Sequence, residues 1–291
     1  MSELPLVSIL LLSMNHEQYI TQCINSIAAQ SYKNIEVIYL DNASTDNTYA
    51  TGVSLLKKSG IPYKHFSNSV SQGISKNFNF LFHNSSGVYV MPLSTDDWLT
   101  ADSVELKINY FKQNSNVGLV YSSCYFHYYD TGNTIVTPKK NIYKSGYILT
   151  DLLKEYCIST IGYIIKSDCL KEVGEFDEQS LFEDRDIAIR IAEKFSIGYI
   201  DKELAYYGRQ ETGNITLNYK YMLKGQEYIV SKFSHYKEIK YAKEQLLVQK
   251  VYCYATYEPS FETLVFIFKN FKPNIFFVKQ IIKTIKNIIV K

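Results

Sequence analysis

Short apolar runs alternating with helix-patterned stretches constrain this chain more than any other feature. Residues 7–12, 35–40, 62–66, 88–93 and 117–126 read as strands. Residues 19–29, 47–58, 72–83 and 104–111 lie between them and carry apolar side chains at helical spacing, as Ile20, Cys23, Ile24, Ile27 and Ala28 do. The run 7–12 is of the kind that belongs to a strand covered on both faces. Strand–helix alternation then dictates an α/β fold, a doubly wound, mostly parallel, Rossmann-like sheet with right-handed crossovers. The pattern loosens from about 127 to 182, where Asp130-Thr131-Gly132-Asn133 marks a turn and 161–165 a strand. Residues 184–195 form an amphipathic helix pattern, and beyond Tyr219 every signal is helical. The expected organisation is an α/β domain over 1–216 with a helical C-terminal extension over 217–291.

The strand ends carry the chemistry. Residues 35–40 run into Asp41-Asn42-Ala43-Ser44-Thr45-Asp46, and residues 88–93 into Ser94-Thr95-Asp96-Asp97-Trp98. Open α/β sheets bind ligands at the carboxyl ends of their strands. Two strands that deliver carboxylates to the same edge predict one site for a nucleotide and a metal ion.

Charge and composition narrow the partners. The chain is 46% hydrophobic, ample for a packed core. Net charge is +2, yet residues 220–291 hold thirteen lysines against five glutamates. A mildly acidic body with a basic tail points to an anionic surface as partner. Nucleic acid is not expected, because the lysines sit in an apolar tail and no nucleic-acid motif accompanies them. Five cysteines without metal-type spacing read as reduced structural thiols. The start, Met1-Ser2-Glu3-Leu4-Pro5, lacks a signal-peptide pattern. No window has the uninterrupted apolar length of a membrane span. The expected location is cytoplasmic.

Six segments stand in a telling order: residues 7–15, Gln30 to Ile38 with Asp41 to Asp46, Gly73-Ile74-Ser75-Lys76-Asn77, Ser94 to Trp98, Gly174-Glu175-Phe176-Asp177-Glu178, and Phe182-Glu183-Asp184-Arg185-Asp186 with Arg190. In that order they resemble the family 2 glycosyltransferases of GT-A fold. The resemblance covers roughly residues 5–216. It implies inverting transfer of a sugar from a UDP-sugar to a hydroxyl of a glycan or lipid-linked acceptor, in bacterial surface-polysaccharide (O-antigen or capsule) synthesis. It also implies a nucleotide-binding half over about 1–115 and an acceptor half over 116–216. Ser13, Asn15, Glu17, Asp41, Lys76 and Asp96 would hold the nucleotide, with Asp41 accepting from the uracil N–H. Asp96 and Asp97 would hold Mn²⁺ or Mg²⁺, which prefer oxygen ligands. Asp184 would be the general base, or else only a helix cap. Trp98, Glu183, Arg209 and Gln210 would contact phosphate or acceptor. Leu12 stands where the opening strand usually has a proline, and two positions near the site also depart from the family pattern. Ser94 stands where an aspartate is frequent and Gln210 where a histidine is frequent, so metal affinity should be weaker.

The tail adds one more expectation. From residue 263 onward there are six lysines and no carboxylate. In 275–291, Lys279, Lys283 and Lys286 fall on one stripe, and Phe277, Ile281, Ile282, Ile285, Ile288 and Ile289 on the other. This fits an interfacial helix on the inner face of the cell membrane, or equally a helix packed on the body with lysines outward. Two other functions compete with sugar transfer. A sugar-nucleotide nucleotidyltransferase would need a glycine- and arginine-rich loop where Ser13-Met14-Asn15-His16 stands. The other is a non-catalytic carbohydrate-binding protein, which would release no UDP from UDP-sugars. Sugar, linkage and oligomeric state are not written in the residues.

Overall fold

The computed structural model describes residues 4–136, 143–155, 157–210 and 218–289. It divides into two compact units, Met1–Leu152 with Tyr156–Asn214, and Leu153–Glu155 with Ile215–Lys291.

The first unit is built on one nine-stranded sheet. In chain order the strands are β1 (Val7–Ser13), β2 (Ile35–Asp41), β3 (Tyr63–Ser67), β4 (Tyr89–Ser94), β5 (Trp98–Leu99), β6 (Val117–Tyr128), β7 (Asn133–Val136), β8 (Ile164–Lys166) and β9 (Ser196–Arg209). Their spatial order is β3-β2-β1-β4-β8-β6-β9-β5, with β7 paired to β6. The first four strands are mutually parallel, as the alternating pattern requires. β8 runs antiparallel between β4 and β6, while β9 is parallel to β6. The helices between strands are α1 (Ile20–Ala28), α2 (Thr48–Ser59), α3 (Ile74–His83), α4 (Ser103–Gln113), α5 (Leu149–Lys154), α6 (Ser167–Glu172) and α7 (Glu183–Ala192). All of β1 is buried, which its apolar run anticipates. α1 buries Ile20, Cys23, Ile24 and Ile27, roughly 1.5–3 kcal/mol for each large aliphatic side chain.

Register fixes the functional edge. Ser13 lies opposite Asp41, and Leu12 opposite Ser94, so the ends of β1, β2 and β4 lie side by side. The 14-residue β9 has no counterpart in the sequence reading. Its centre, Asp201-Lys202-Glu203, breaks the apolar run, and the β6–β9 register shifts at Ser122/Ser123 and Ser123/Cys124.

The second unit is helical: α8 (Tyr219–Lys232), α9 (Ile239–Tyr257), α10 (Phe261–Lys269) and α11 (Ile275–Ile289). Val251, Ala255, Ile267 and Phe277 form its core. This revises the single apolar stripe expected on α11. Phe277 is fully buried and Ile281 packs against the core, whereas Ile282 and Ile285 are exposed. Lys283 donates to Thr256 Oγ1 at 2.8 Å and covers the Tyr252 ring. α11 therefore has two apolar faces, only one of them used internally. Among the described residues no helix is long and apolar enough to cross a membrane.

Candidate active site

Asp41 terminates β2 and is buried. Ser13 Oγ donates to its Oδ1 at 2.8 Å, Ser44 Oγ to the same oxygen at 2.6 Å, and Ser44 N to Oδ2 at 2.9 Å. A carboxylate accepts about four hydrogen bonds, so three local donors hold it rigidly and leave capacity for one more. Ser13 is thus a buried support for Asp41. Asn15, in left-handed conformation (φ 54°), accepts from Thr45 N at 2.8 Å and binds Ser44 Oγ through its own N–H. Glu17 accepts from Asn47 N and Nδ2 at 3.1 and 2.9 Å. Both residues tie the turn after β1 to the turn after β2. Asn42 does the same for the next loop, accepting from Gln72 N and Asn68 Nδ2. Lys76 is exposed on the first turn of α3 and donates to Gln72 Oε1 at 3.1 Å. It stands one residue away from that hub rather than on Asp41.

The loop after β4 is pinned from three sides. Thr95 N donates to Leu12 O at 3.0 Å, Tyr129 Oη to Asp96 O at 2.8 Å, and Gly208 N to Asp97 Oδ1 at 2.9 Å. Gly208 must lack a side chain, because a Cβ there would meet Asp96 O at 2.1 Å. Ser94 Oγ donates to Asp96 Oδ1. Asp97 is buried; loss of water and the neighbouring Asp96 push its carboxyl well above the usual range, partly offset by the Gly208 N–H. A carboxyl desolvated beside a like charge holds its proton more tightly than an ordinary carboxylate does. His16 was not among the expected site residues. Its Nδ1 shares a 2.9 Å hydrogen bond with Thr95 Oγ1 and lies 3.9 Å from Asp96 Oδ1. No spacing rule links position 16 to 96; the link exists only because β1 and β4 are neighbours.

Opposite this loop stands the start of α7. Asn79 and the Phe176 backbone exchange two 2.9 Å hydrogen bonds. Arg190 binds Asp186 and donates to Val173 O and Glu175 O. These contacts fasten the loop that leads into α7. Asp184 accepts from Thr160 Oγ1 at 2.6 Å and from Arg185 N at 2.7 Å. Burial and the adjacent Asp184 push Glu183 up to about 8. Ser94, Asp97, Thr160, Tyr163, Glu183 and Asp184 line one cavity of about 180 Å³, floored by Ile74 and Phe78. Three of the carboxylates expected from the sequence thus meet at one cavity, while Asp41 lies along the strand edge.

Trp98, Arg209 and Gln210 sit differently. Trp98 is buried and stacks on Tyr206 at 4.8 Å and 8°, leaving its ring little surface for a ligand. Arg209 ends β9 with its guanidinium over Phe126, Tyr128 and Tyr207 at 5.2 to 5.7 Å. Gln210 follows it, half-buried. A wider cavity of about 460 Å³ in the helical unit is lined by charges that pair with one another or with a neighbour, Lys220 with Glu258 and Glu227 with Lys250.

The family model described as glycosyl transferase family 2 matches residues 8–173. An uncharacterized glycosyltransferase of Haemophilus influenzae is 31% identical over 59% of this chain and 74% of its own length. The glycosyltransferase GlyA of Streptococcus pneumoniae is 31% identical over 58% of this chain, and chondroitin synthase of Escherichia coli 28% over 50%. The matches span only 25% and 20% of those two longer proteins. Among solved structures, S. aureus TarS 1-349 in complex with UDP-GlcNAc superposes with TM-score 0.65 at 17% identity, over 96% of this chain and 79% of its own. The mannosyltransferase PcManGT of Pyrobaculum calidifontis, in complex with GDP-Man and Mn²⁺, gives 0.66 at 14%, over 97% and 85%. The shared architecture is the GT-A fold.

Proposed function

The chain belongs to glycosyl transferase family 2, which makes it an enzyme of sugar transfer from a nucleotide sugar, and from that premise we propose that it is an inverting transferase using a UDP-sugar. The observation that carries this reading is the cavity where Asp97 from the β4 loop faces Glu183 and Asp184 from α7. At about 180 Å³ it is smaller than the roughly 300–1,000 Å³ of whole-ligand pockets. It would take the sugar and the attacking hydroxyl, and the nucleotide would extend along the strand edge toward Asp41. There the remaining acceptor capacity of Asp41 suits a ring N–H such as that of uracil.

The residues fit a divalent ion. Asp96 and Asp97 are adjacent oxygen donors, and Asp97 is buried beside a like charge, which a hard cation relieves. Among the described residues no group of three or more metal-ligating side chains stands together. Such an ion would complete its coordination with donor phosphates and neutralise the leaving diphosphate. Asp184, held by Thr160 and the helix start, would accept the proton of the acceptor hydroxyl as it attacks. Arg209, whose guanidinium rests on three rings, stands at the same sheet end and would assist the phosphates. The acceptor we propose is a glycan or lipid-linked hydroxyl in surface-polysaccharide (O-antigen or capsule) synthesis.

Calorimetry of UDP with and without Mn²⁺, with GDP as control, tests the donor reading. UDP should bind, and more tightly with the ion. Tight GDP binding with no UDP heat would overturn it. UDP release from a panel of UDP-sugars, with and without acceptor, then identifies the sugar.

A further inference from the structure

The second unit leaves a surface unpaired that the transfer reaction does not use. On α10, Phe261 is 73% exposed and Phe268 60%, with Val265 exposed between them. At about 100° per residue these three fall within one sector of roughly 60°. On α11, Ile275 is 72% exposed and Ile282 49%, with Val278 and Ile285 also exposed. Those four fall within roughly 80°. Both helices contact α9 and each other. Phe271, in the connection between them, is exposed as well. Soluble proteins expose single apolar side chains routinely, but two packed helices that each hold a sector of exposed apolar side chains mark an interaction surface.

The charges around it identify the occupant. Lys269 borders the α10 sector, and Lys279 and Lys286 border that of α11; all three are exposed. None of the three pairs with a carboxylate among the described residues, whereas Lys272 is 3.4 Å from Glu244. The only carboxylate on either helix is Glu262, in the first turn of α10. An apolar face rimmed by unpaired lysines complements a surface that is apolar below and anionic above. α11 has 15 residues, about 22 Å of helix, short of the roughly 30 Å hydrocarbon core. It is too short to span such a surface.

We infer that the exposed faces of α10 and α11 dock the enzyme on a bilayer rich in anionic lipid, with the aromatic and aliphatic side chains in the interface and Lys269, Lys279 and Lys286 at the headgroups. This inference stands on the second unit alone and does not depend on the donor or on Asp184.

The full chain is to be sedimented with vesicles of phosphatidylcholine alone and of phosphatidylcholine mixed equally with phosphatidylglycerol, at low and high salt. It should bind the mixed vesicles, far less the neutral ones, and high salt should weaken binding. Each lysine at such a surface is worth about fivefold in partitioning, so Lys279→Glu with Lys286→Glu should lower binding at least roughly tenfold. Phe268→Ser with Ile282→Ser should abolish it. These positions are exposed, so melting curves and UDP release should match the parent. Three outcomes overturn the inference. The parent stays in the supernatant with mixed vesicles; it binds neutral and mixed vesicles alike with no response to lysine reversal; or it sediments as an oligomer that the Ser variants dissociate, which assigns the face to a second copy.

Discussion

Gly208→Ala probes the joint on which the carboxylate loop rests. A Cβ at position 208 would lie 2.1 Å from Asp96 O, 2.7 Å from Tyr129 Cε2 and 3.1 Å from Asp96 C. Ordinary contact needs about 3.5 Å, so the loop must retreat by more than about 1 Å. Asp96 O is backbone and already accepts from Tyr129, so it cannot simply rotate away. Overpacking of this kind costs about 1–3 kcal/mol. The displacement also breaks the Gly208–Asp97 hydrogen bond, about 1.5–3 kcal/mol for a charged acceptor. Together they predict a fall in melting temperature of roughly 5–24 °C. A 1 Å displacement of reacting groups costs about 10²-fold in rate, and turnover should fall by that order. Gly73→Ala is the control, since nothing lies within 4 Å of a Cβ there. The assays are melting, turnover, and UDP calorimetry with Mn²⁺. If Gly208→Ala keeps parental turnover and the same metal enhancement, β9 does not hold the loop and the argument fails.

Two desolvated ionisable groups, one half-buried and one fully buried, make opposite predictions for stability against pH. Glu183 is raised in the folded state to about 8, so its contribution is present below its ordinary range and lost as pH climbs toward 8. The parent should melt lower at pH 8 than at pH 5, and Glu183→Gln should flatten that slope; equal slopes would refute the assignment. Lys107 is fully buried, donates to Ser103 Oγ at 2.7 Å, and is held down to about 7 by burial. Below that pH the folded state carries a buried charge, so Lys107→Met should raise the melting temperature at pH 6. A lower melting temperature would show that the ammonium is a net stabiliser.

Much of the fold was legible because its first half obeys simple periodicities. The runs that became β1 and β4 are almost wholly apolar and buried, and α1 keeps Ile20, Cys23, Ile24 and Ile27 on one side, whereas β3 is largely polar and was placed by its position in the alternation. β9 was not legible, since its inward residues are separated by Asp201, Lys202 and Glu203 and its pairing with β6 slips three times. The same reason hid Gly208, whose role depends on β9 passing behind Asp96. Asp41, Asp96, Asp97 and Asp184 stood out as candidates because they stand at strand ends or at a helix start. His16 and Thr95 could not, because their contact joins residues 79 apart in sequence. Trp98 looked like a ligand contact next to two carboxylates, but its partner strand turns it into the stack with Tyr206. On α11 the lysine stripe was correct in spacing, yet periodicity alone cannot tell which of two apolar faces meets α9 and which meets solvent.

The central claim is that Asp184 takes the acceptor proton at the cavity it shares with Asp97. Asp184→Asn keeps the shape of the side chain and an acceptor for Thr160 while removing the base. Transfer turnover and UDP affinity should be measured side by side on this variant, with Mn²⁺ present. The account predicts turnover lower by about 10²–10⁴-fold with UDP affinity unchanged. Turnover within about threefold of the parent would contradict it and leave Asp184 as a cap on α7.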